Sequence, residues 1–308
     1  MKVIVEIEPR ITKSWGEFIK KEGIHVAIDG YVRGKTHNKI TKKKEIYNFN
    51  HHEEVDRLST RCTAAQIAMG VKCGLGDGWK NKEVKIWAND CDQDVCLSIW
   101  LIKNIERIRG AQSEPLINKL INLIDCMDTC AGGYPLDPNK ESMQELNWIF
   151  GPYTRERIAN KLWNADKERM EGVVESVLKR ISEYSVGRGE KEIAKDEYKI
   201  LKEEKGWTLV RELGEQARTK MLIQGIRNFV TVSERGNDYT YSIGKLSPFS
   251  SANLVEITAK LNKAEGKRIT NTDCWGGGNN IIGSPRKGGS GLKPEEVLDI
   301  ITGKKEVC

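Results

Sequence analysis

The sequence predicts an α/β fold with a mainly parallel sheet in an N-terminal domain, a helical connector and a smaller α/β C-terminal domain. Short apolar strand patterns alternate with helix patterns over residues 1–150, as in chains that build crossover units around a parallel sheet. A long charged stretch with few glycines or prolines follows and is typical of helix, and strand patterns resume at Gly206. We therefore expect a first α/β domain at 1–150, a helical connector at 151–205 and a second domain at 206–308.

Four strands are predicted in the N-terminal domain, at residues 3–9, 24–30, 45–50 and 83–90. The first alternates apolar and charged residues, as a half-buried strand does, and the second stops at Gly30. Between these two strands, residues 13–22 predict a short amphipathic helix. The basic, turn-rich segment 32–44 predicts a solvated loop or hairpin, with a flap that faces a phosphate as the alternative.

Helix patterns in the same domain cover residues 59–74, 94–109 and 113–128. We expect the first to begin at Ser59 or Thr60 and to stop at Gly74, because hydroxyl residues cap helix N-termini and glycine ends helices. The last has Ser113 as its cap and Pro115 in its first turn. In parallel sheets joined by such helices, ligands bind at the carboxyl ends of the strands.

The C-terminal domain has its own alternation of strands and helices. A mixed region begins at 206–213, strands are predicted near 227–234 and 238–245, and helices near 252–265 and 292–301. A glycine-rich stretch separates the two helices. We therefore expect a second, smaller α/β unit.

Composition is that of an ordinary globular protein. Charged residues make up 31% and hydrophobic residues 38% of the 308 residues, and the formal net charge is +6. This balance fits an anionic ligand and is far from that of a protein that coats nucleic acid. No apolar run approaches the roughly 18 residues that cross a bilayer, and Glu6 and Glu8 interrupt any signal-peptide pattern. We therefore expect a cytoplasmic protein that does not bind membranes.

Eight cysteines are spread over the chain. None has the two-residue spacing of zinc knuckles or redox motifs. We expect free, largely buried thiols in a reducing compartment.

Three aspartates follow the predicted strand at 83–90 and precede an apolar helix, at positions Asp90, Asp92 and Asp94. Carboxylates this close repel one another unless a cation lies between them. Oxygen-rich ligation favours Mg²⁺ or Mn²⁺ over Zn²⁺. The alternative is a helix start, where a single aspartate would suffice as a cap.

Further candidates are weaker when each is considered alone. Asp125 and Asp128 lie three apart on a predicted helix and share a face, and Asp29 ends another predicted strand. His51 and His52 adjoin at a strand end, where neighbouring side chains of an extended chain point to opposite sides. One histidine could therefore ligate a metal while the other faces a substrate oxygen.

The segment "CWGGGNNIIGSPRKGGSGL" (274–292) combines glycines with two asparagines, a serine and an arginine. Glycines let backbone amides approach an oxyanion, and Arg286 can bind a phosphate through two hydrogen bonds. A flexible linker is the alternative, which the apolar residues within the segment oppose. The pattern is neither a Walker A loop nor a dinucleotide fingerprint.

Three motifs together resemble the DHH phosphoesterase superfamily. "DQDVCLS" (92–98) resembles its DxDxxxS motif, and "YNFNHH" (47–52) resembles its Asp-His-His signature. "GGGNNIIGSPR" (276–286) resembles the glycine-rich substrate loop of the associated DHHA1-type domain. The resemblance spans both ends of the chain, with the helical connector between.

This resemblance implies an α/β domain that binds two Mn²⁺ or Mg²⁺ ions and hydrolyses phosphoester or phosphoanhydride bonds. Carried onto this chain, it implies metal ligation by His51, Asp92 and Asp94, a bridging carboxylate from Asp128 or Asp125, and catalytic roles for His52 and Asp94. It also implies that the distal phosphate or base of the substrate is held by Asn279, Asn280, Ser284 and Arg286.

The chain departs from the family pattern in three places. Asn50 replaces the signature aspartate, and Asp29 on a neighbouring strand is the candidate that would compensate as a ligand. The histidine pair also precedes the DxD segment, in the reverse of the usual order, and the histidine that normally precedes DxD is absent.

Three functions follow as hypotheses. The first is a metal-dependent phosphoesterase acting on a nucleotide or short oligonucleotide. The second is an inactive nucleotide- or nucleic-acid-binding protein on the same fold, in which Asn50→Asp would create activity. The third is a structural partner protein that uses the helices of 154–204 as a docking or homodimer surface.

Overall fold

The computed structural model describes residues 1–110, 114–134, 137–245 and 249–305. Over these residues the chain is a mixed α/β protein with two mixed sheets and ten α-helices, which confirms the predicted α/β class. The predicted cap at Ser113 and the last cysteine, Cys308, lie outside the described residues.

The first sheet has the strand order β1-β5-β2-β4-β3. Its strands are β1 (Lys2–Ile7), β2 (Gly23–Ile28), β3 (His37–Ile40), β4 (Lys44–Phe49) and β5 (Glu83–Ala88). The pairings β1–β5, β5–β2 and β2–β4 are parallel, and β3 pairs antiparallel with β4. The carboxyl ends of β5, β2 and β4 therefore lie side by side at one edge.

The basic segment at 32–44 forms the first strand and turn of a hairpin, which confirms the predicted loop or hairpin. All four residues of β3 are exposed, and the turn 41–44 lies at the end of β4 that is remote from its carboxyl end. The lysines of this turn therefore lie far from the carboxyl ends of the strands, where the aspartates are located.

Within the described ranges, seven helices accompany the first sheet. They are α1 (Trp15–Phe18), α2 (Thr63–Lys72), α3 (Gln93–Lys103), α4 (Ile105–Arg109), α5 (Pro115–Thr129), α6 (Glu141–Ile158) and α7 (Lys167–Ser185). The predicted helix at 13–22 is wrong in length, because only one turn forms behind a capping box between Ser14 and Glu17. The predicted helix at 94–109 divides into α3 and α4 at Asn104.

The predicted start of α2 is also wrong. Its N-cap is Cys62, and neither Ser59 nor Thr60 caps it. Ser59 and Thr60 instead close a turn onto the carbonyl of Asp56. Gly74 does lie just beyond the helix, with a φ of +100° that glycine tolerates best.

The predicted connector at 151–205 is helical only as far as Ser185. Gly187, with a φ of +76°, ends α7, and residues 190–197 run without regular structure. The following residues form the edge strand β6 (Tyr198–Glu204) rather than helix. β6 is rich in charge because it is largely exposed, which hid its strand character in the sequence.

The second sheet has the order β10-β11-β9-β8-β7-β6. Its remaining strands are β7 (Trp207–Glu212), β8 (Asn228–Arg235), β9 (Asp238–Lys245), β10 (Gly276–Gly277) and β11 (Ile281–Gly283). Three helices of the described part accompany it, α8 (Ala217–Ile223), α9 (Leu254–Glu265) and α10 (Pro294–Ile301). The strands and helices predicted for this half are confirmed in place, and α8, β10 and β11 are additional.

Two main hydrophobic cores fill the molecule. The first is built from β1, β2, β4 and β5 with α2–α7, and the second from β7–β9, β11, α9 and α10. The apolar face of α7 (Met170, Val173, Val177 and Ile181) is buried in the first core, so that face is not available as a dimer surface. No helix within the described ranges combines the length and apolar character needed to cross a membrane.

Candidate metal and phosphate site

The turn that follows β4 is held by the side chain of Asn50, which is fully buried. Its Oδ1 accepts hydrogen bonds from the backbone N–H groups of His51 (2.8 Å) and His52 (3.1 Å). Its Nδ2 donates to the carbonyl of Gly34 (2.7 Å), to that of Val32 (3.3 Å) and to a carboxylate oxygen of the neighbouring glutamate (2.9 Å). Asn50 therefore lies behind the site and positions the two histidines. Its side-chain amide does not occupy the position of a metal ligand.

The two histidines converge on one carboxylate. Nε2 of His51 lies 3.1 Å and Nε2 of His52 lies 2.7 Å from Oδ1 of Asp29, and the ring centroids are 4.6 Å apart. The expectation that adjacent side chains point to opposite sides is wrong here. β4 ends at Phe49, and the turn capped by Asn50 replaces the extended geometry on which that expectation rested.

Three carboxylates surround the buried Nε2 of His51. The distances are 3.1 Å to Oδ1 of Asp29, 3.5 Å to Oδ2 of Asp94 and 3.0 Å to Oδ2 of Asp128. A ring nitrogen offers one proton or one lone pair, so it cannot satisfy three acceptors at once. Oδ2 of Asp128 is indeed buried without a hydrogen-bond partner among the described atoms.

These separations match the spacing of ligands around a small divalent cation. Adjacent ligands of an octahedral ion, each about 2.1 Å from the metal, lie about 3.0 Å from one another. Two overlapping groups have ligand atoms within 4.8 Å of one another, and both contain His51. One adds Asp94 and Asp128, and the other adds Asp29 and His52.

Burial and mutual repulsion shift the titration of these acids. Burial raises the pKa of Asp94 well above its usual range, and the charges of Asp29 and Asp128 raise it further. Burial alone would also raise the pKa of Asp29, but His52 and His51 beside it hold that pKa well below its usual range. The carboxylates of the cluster therefore repel one another, and a bound cation would reduce this repulsion.

Asp94 also anchors the N-terminus of α2. Its two oxygens accept hydrogen bonds from the backbone N–H groups of Thr63 and Ala64, each at 2.7 Å. The positive end of the α2 dipole thereby faces the cluster.

Asp92 and Asp90 lie at the margin of the cluster. Asp92 caps α3 by accepting from Val95 N (2.9 Å), and burial followed by the charges of Asp29 and Asp90 raises its pKa well above its usual range. Neither residue belongs to the two ligand groups found in the described part of the chain. Asp90 instead has its Oδ2 3.9 Å from the guanidinium of Arg286.

Asp125 and Asp128 have different roles. Oδ1 of Asp125 accepts from the backbone N–H of Cys62 (2.6 Å), so this carboxylate helps to hold the start of α2. Asp128 alone of the two faces His51. It is held by the buried Arg57, whose guanidinium lies 3.1 Å from Oδ1 and donates to its carbonyl at 2.7 Å.

The glycine-rich segment lies against this site. A Cβ on Gly278 would lie 2.8 Å from the Arg57 side chain, so only glycine permits this approach. Asn279 accepts from Arg57 N (3.0 Å) and donates to Asp56 (3.1 Å), and Asn280 donates to the carbonyl of Thr129 (3.2 Å).

All four side chains expected to hold substrate are engaged within the chain. Asn279 fastens the segment to the loop before α2, Asn280 fastens it to the end of α5, and Ser284 accepts from Tyr241 N (3.0 Å) beside the β9–β11 pairing. NH1 of Arg286 donates to Oδ1 of Asn89 (3.0 Å), and Arg286 differs from the other three because its guanidinium also faces the carboxylate of Asp90.

Sequence reasoning missed Arg57, Thr63 and Ala64. Arg57 lies in a charged stretch, and its burial depends on contacts with residues 71 and 222 positions away. Thr63 and Ala64 contribute backbone N–H groups, which any residue except proline would supply, so their identity in the sequence does not reveal this role.

Most described cysteines are at least partly buried, as expected. Seven are free thiols, of which Cys62, Cys91 and Cys96 are buried and Cys73 is exposed. None of them belongs to the two ligand groups found in the described part of the chain.

Comparison with known proteins gives no match to a family model, a curated protein or a solved structure.

Proposed function

We propose that this protein is a metal-dependent phosphoesterase of the DHH type, which hydrolyses a phosphodiester or phosphoanhydride bond of a nucleotide or short oligonucleotide. One observation carries the proposal: Nε2 of His51 lies within 3.5 Å of three carboxylates from three separate segments of the chain. Repulsion among these carboxylates makes the arrangement unfavourable without a divalent cation, and their spacing suits the binding of one.

Mn²⁺ or Mg²⁺ is the proposed cofactor, because oxygen ligands outnumber nitrogen ligands and no cysteine of the described residues belongs to either ligand group. The group of His51, Asp94 and Asp128 supports one ion position, and the other group shares Nε2 of His51, whose single lone pair can serve only one ion. A bound ion would act as a Lewis acid on the phosphoryl oxygens and lower the pKa of a bound water.

The chain's own residues supply orientation and a proton. Hydrolysis adds the oxygen of water to phosphorus, breaks the bond to the leaving oxygen and returns one proton to that oxygen. His52 is the exposed member of the pair, with 20% of its side chain accessible, and Asp29 fixes its ring. We assign the proton donation to His52, while Asp94 and Asp128 remain ligands.

The alternative is an inactive binding protein on the same fold, which rested on the absence of the signature aspartate. The buried amide of Asn50 bonds to carbonyls behind the histidines, so its identity does not weaken the ligand set. This favours turnover over binding alone.

Purified protein tests the proposal through Asp128→Asn, which removes one ligand charge and keeps the side-chain shape. We expect the wild-type protein to bind Mn²⁺, to melt at a higher temperature with Mn²⁺, and to hydrolyse bis(p-nitrophenyl) phosphate. In the variant, Mn²⁺ affinity should fall by about tenfold or more, with activity falling in parallel. Isothermal titration calorimetry and steady-state kinetics give the two readouts.

Asp125→Asn is the matched control. It lies one turn earlier on α5, and its remaining Oδ1 can still accept from Cys62 N, so Mn²⁺ affinity should be unchanged. Absence of Mn²⁺ binding to the wild-type protein would contradict the metal site. Tight Mn²⁺ binding without turnover of any phosphodiester or phosphoanhydride would favour the binding protein instead.

A further inference from the structure

Arg57 is a fully buried cation that contacts two candidate ligands at once. Its NH1 donates to the carbonyl of His51 (3.1 Å), and its NH2 donates to the carbonyl of Asp128 (2.7 Å). NH2 also lies 3.1 Å from Oδ1 of Asp128. One guanidinium group therefore joins the turn after β4, which carries the histidine, to the end of α5, which carries the aspartate.

The free energy of folding does not by itself account for an arginine at this position. Its Nε is buried without a hydrogen-bond partner among the described atoms, and Asp128 is the one carboxylate of the described residues within 4 Å of its guanidinium. A buried cation with an unsatisfied N–H group is unfavourable, and a well-packed apolar side chain is often at least as stabilising. What the guanidinium does supply is a fixed position for two candidate ligands.

The glycine-rich segment covers Arg57 on the side away from these ligands. Oδ1 of Asn279 accepts from Arg57 N (3.0 Å), and Nδ2 of Asn279 donates to Oδ1 of Asp56 (3.1 Å). A Cβ on Gly278 would lie 2.8 Å from Cγ of Arg57 and 3.3 Å from the carbonyl oxygen of His52. The segment therefore contacts the backbone and the aliphatic part of Arg57, while the guanidinium faces the ligands.

These two residues of the segment belong to the second sheet. They lie between β10 and β11, which pair with each other, and β11 pairs with β9. Ile282 of β11 is buried in the second core. The position of Arg57 therefore depends on the contact between the second sheet and the loop before α2.

We propose that Arg57 is a positioning residue that couples the docking of the glycine-rich segment to the geometry of the metal ligands. The second sheet would thereby raise the metal affinity of the ligand group of His51, Asp94 and Asp128, to which it contributes no ligand. The inference rests on the proposed metal site and adds regulation to it, because whatever draws the segment away from Arg57 weakens metal binding. By linkage, a bound ion should strengthen the docking of the segment by the same factor.

Asn279→Ala tests the coupling, because Asn279 contacts Arg57 and no candidate ligand. We expect isothermal titration calorimetry to show Mn²⁺ affinity reduced by about tenfold, as for other residues that orient metal ligands. The melting temperature of the metal-free variant should change little, since only hydrogen bonds of a partly exposed side chain are lost. Unchanged Mn²⁺ affinity would overturn the coupling and leave the metal site intact.

Asn160→Gly is the matched control. The Asn160 side chain also joins the two halves of the chain, by donating to the carbonyl of Glu234, and it does not contact Arg57. Its φ of +54° suits glycine, so the substitution removes the side chain without straining the backbone. It should keep the Mn²⁺ affinity of the wild-type protein. Equal losses in both variants would overturn the role of Arg57, because a general loosening of the two halves would explain them.

Arg57→Lys tests the guanidinium itself. Lysine keeps the charge and the aliphatic stem, but its single ammonium group cannot reproduce the planar fork that reaches both carbonyls. Mn²⁺ affinity should fall by about tenfold or more. In the double variant with Asn279→Ala, the loss should be smaller than the product of the two single losses, since both act through Arg57. Losses that multiply fully would contradict the coupling.

Hydrogen exchange gives a readout that does not depend on turnover. Mn²⁺ should slow amide exchange in residues 276–283 of the wild-type protein, and Asn279→Ala should speed exchange in residues 127–133 of the metal-free protein. If the wild-type protein binds no Mn²⁺, faster exchange at the end of α5 still supports coupling through Arg57, while the phosphoesterase proposal fails. Unchanged exchange at the end of α5 would contradict the coupling on its own.

Discussion

At the scale of single residues, Asn50 shows how a departure from a family motif can reflect structure rather than loss of function. The amide both accepts and donates: Oδ1 fixes the backbone of the two histidines, and Nδ2 faces two carbonyls. A carboxylate can reproduce the first set of bonds but not the second.

We therefore predict that Asn50→Asp destabilises the protein at neutral pH. The amide of Asn50 donates to the carbonyls of Val32 and Gly34 and to the carboxylate of Glu53. A carboxylate at position 50 would be buried against these three acceptors, at a cost of about 3 kcal/mol in the free energy of unfolding. Because such surroundings raise the pKa of an acid, the loss should shrink as the pH falls and the group becomes protonated. Urea unfolding at pH 7 and pH 5 measures both effects.

Asn38→Asp is the control, since Asn38 is exposed on β3. Its stability should stay within about 0.5 kcal/mol of the wild-type protein. A gain of hydrolytic activity in Asn50→Asp, with stability unchanged, would mean that position 50 supplies a ligand after all.

At the scale of elements, the packing of the second sheet includes a close contact between a glycine and an aromatic ring on adjacent strands. Gly244 on β9 pairs with Phe229 on β8, and a Cβ at Gly244 would lie 2.4 Å from the phenyl ring. Phe229 is fully buried in a small cluster with Val210 and Met221. The ring therefore occupies the space that a side chain on β9 would need.

We predict that Gly244→Ala lowers the free energy of unfolding by about 1–3 kcal/mol, because the tightly packed ring must shift. The double variant with Phe229→Leu should lose less than the sum of the two single changes. A double-mutant cycle from urea unfolding measures this coupling.

Gly172→Ala provides the opposite sign. Gly172 lies within α7, and among the described residues no heavy atom outside its chain neighbours and the nearby backbone of its own helix lies within 4 Å of the place that an added Cβ would take. Alanine should therefore stabilise the helix by up to about 1 kcal/mol.

Additive losses at positions 244 and 229 would show that the phenyl ring of Phe229 is not the reason for glycine at position 244.

At the scale of the whole molecule, a partly buried ion cluster joins α6 to the second sheet. Glu212, at the end of β7, pairs with Arg157 of α6 (2.6 Å) and Arg218 of α8 (2.5 Å). Arg218 also donates to the carbonyl of Ala131, just beyond α5 (3.1 Å). Burial opposes the ionisation of Glu212, but the two arginines lower its pKa from 4.5 to about 2.

This depressed pKa predicts an acid-dependent loss of stability. The contribution of Glu212 is fully present above the unfolded-state pKa of 4.5 and is lost as the pH falls through the folded-state value of about 2. Over that window the loss should be about 3 kcal/mol at most. Urea unfolding between pH 5 and pH 2 should show the stability difference between the wild-type protein and Glu212→Gln shrinking by this amount.

Glu234→Gln is the control, because Glu234 pairs with Arg211 on the exposed surface. Its difference from the wild-type protein should change little with pH, as expected for a solvent-screened pair. A pH-independent difference for Glu212→Gln would mean that the carboxylate's ionisation does not hold the two halves together.

Local patterns predicted most of the strands and helices, because burial on one face imposes a period that survives in the sequence. β2, β4, β5, α5 and α9 lie where their apolar residues predicted them. The predictions for β6 and the one-turn helix α1 are wrong, because exposed edges and single turns bury too little to impose a pattern.

The sequence by itself determined which acids and histidines were candidates, since their positions after apolar strands mark one sheet edge. Only the tertiary structure decided which candidates meet. It separated Asp128 from Asp125, placed both histidines on Asp29 and set Asn50 behind them. These outcomes depend on contacts between distant segments, and a linear pattern carries no record of the free energy of such contacts.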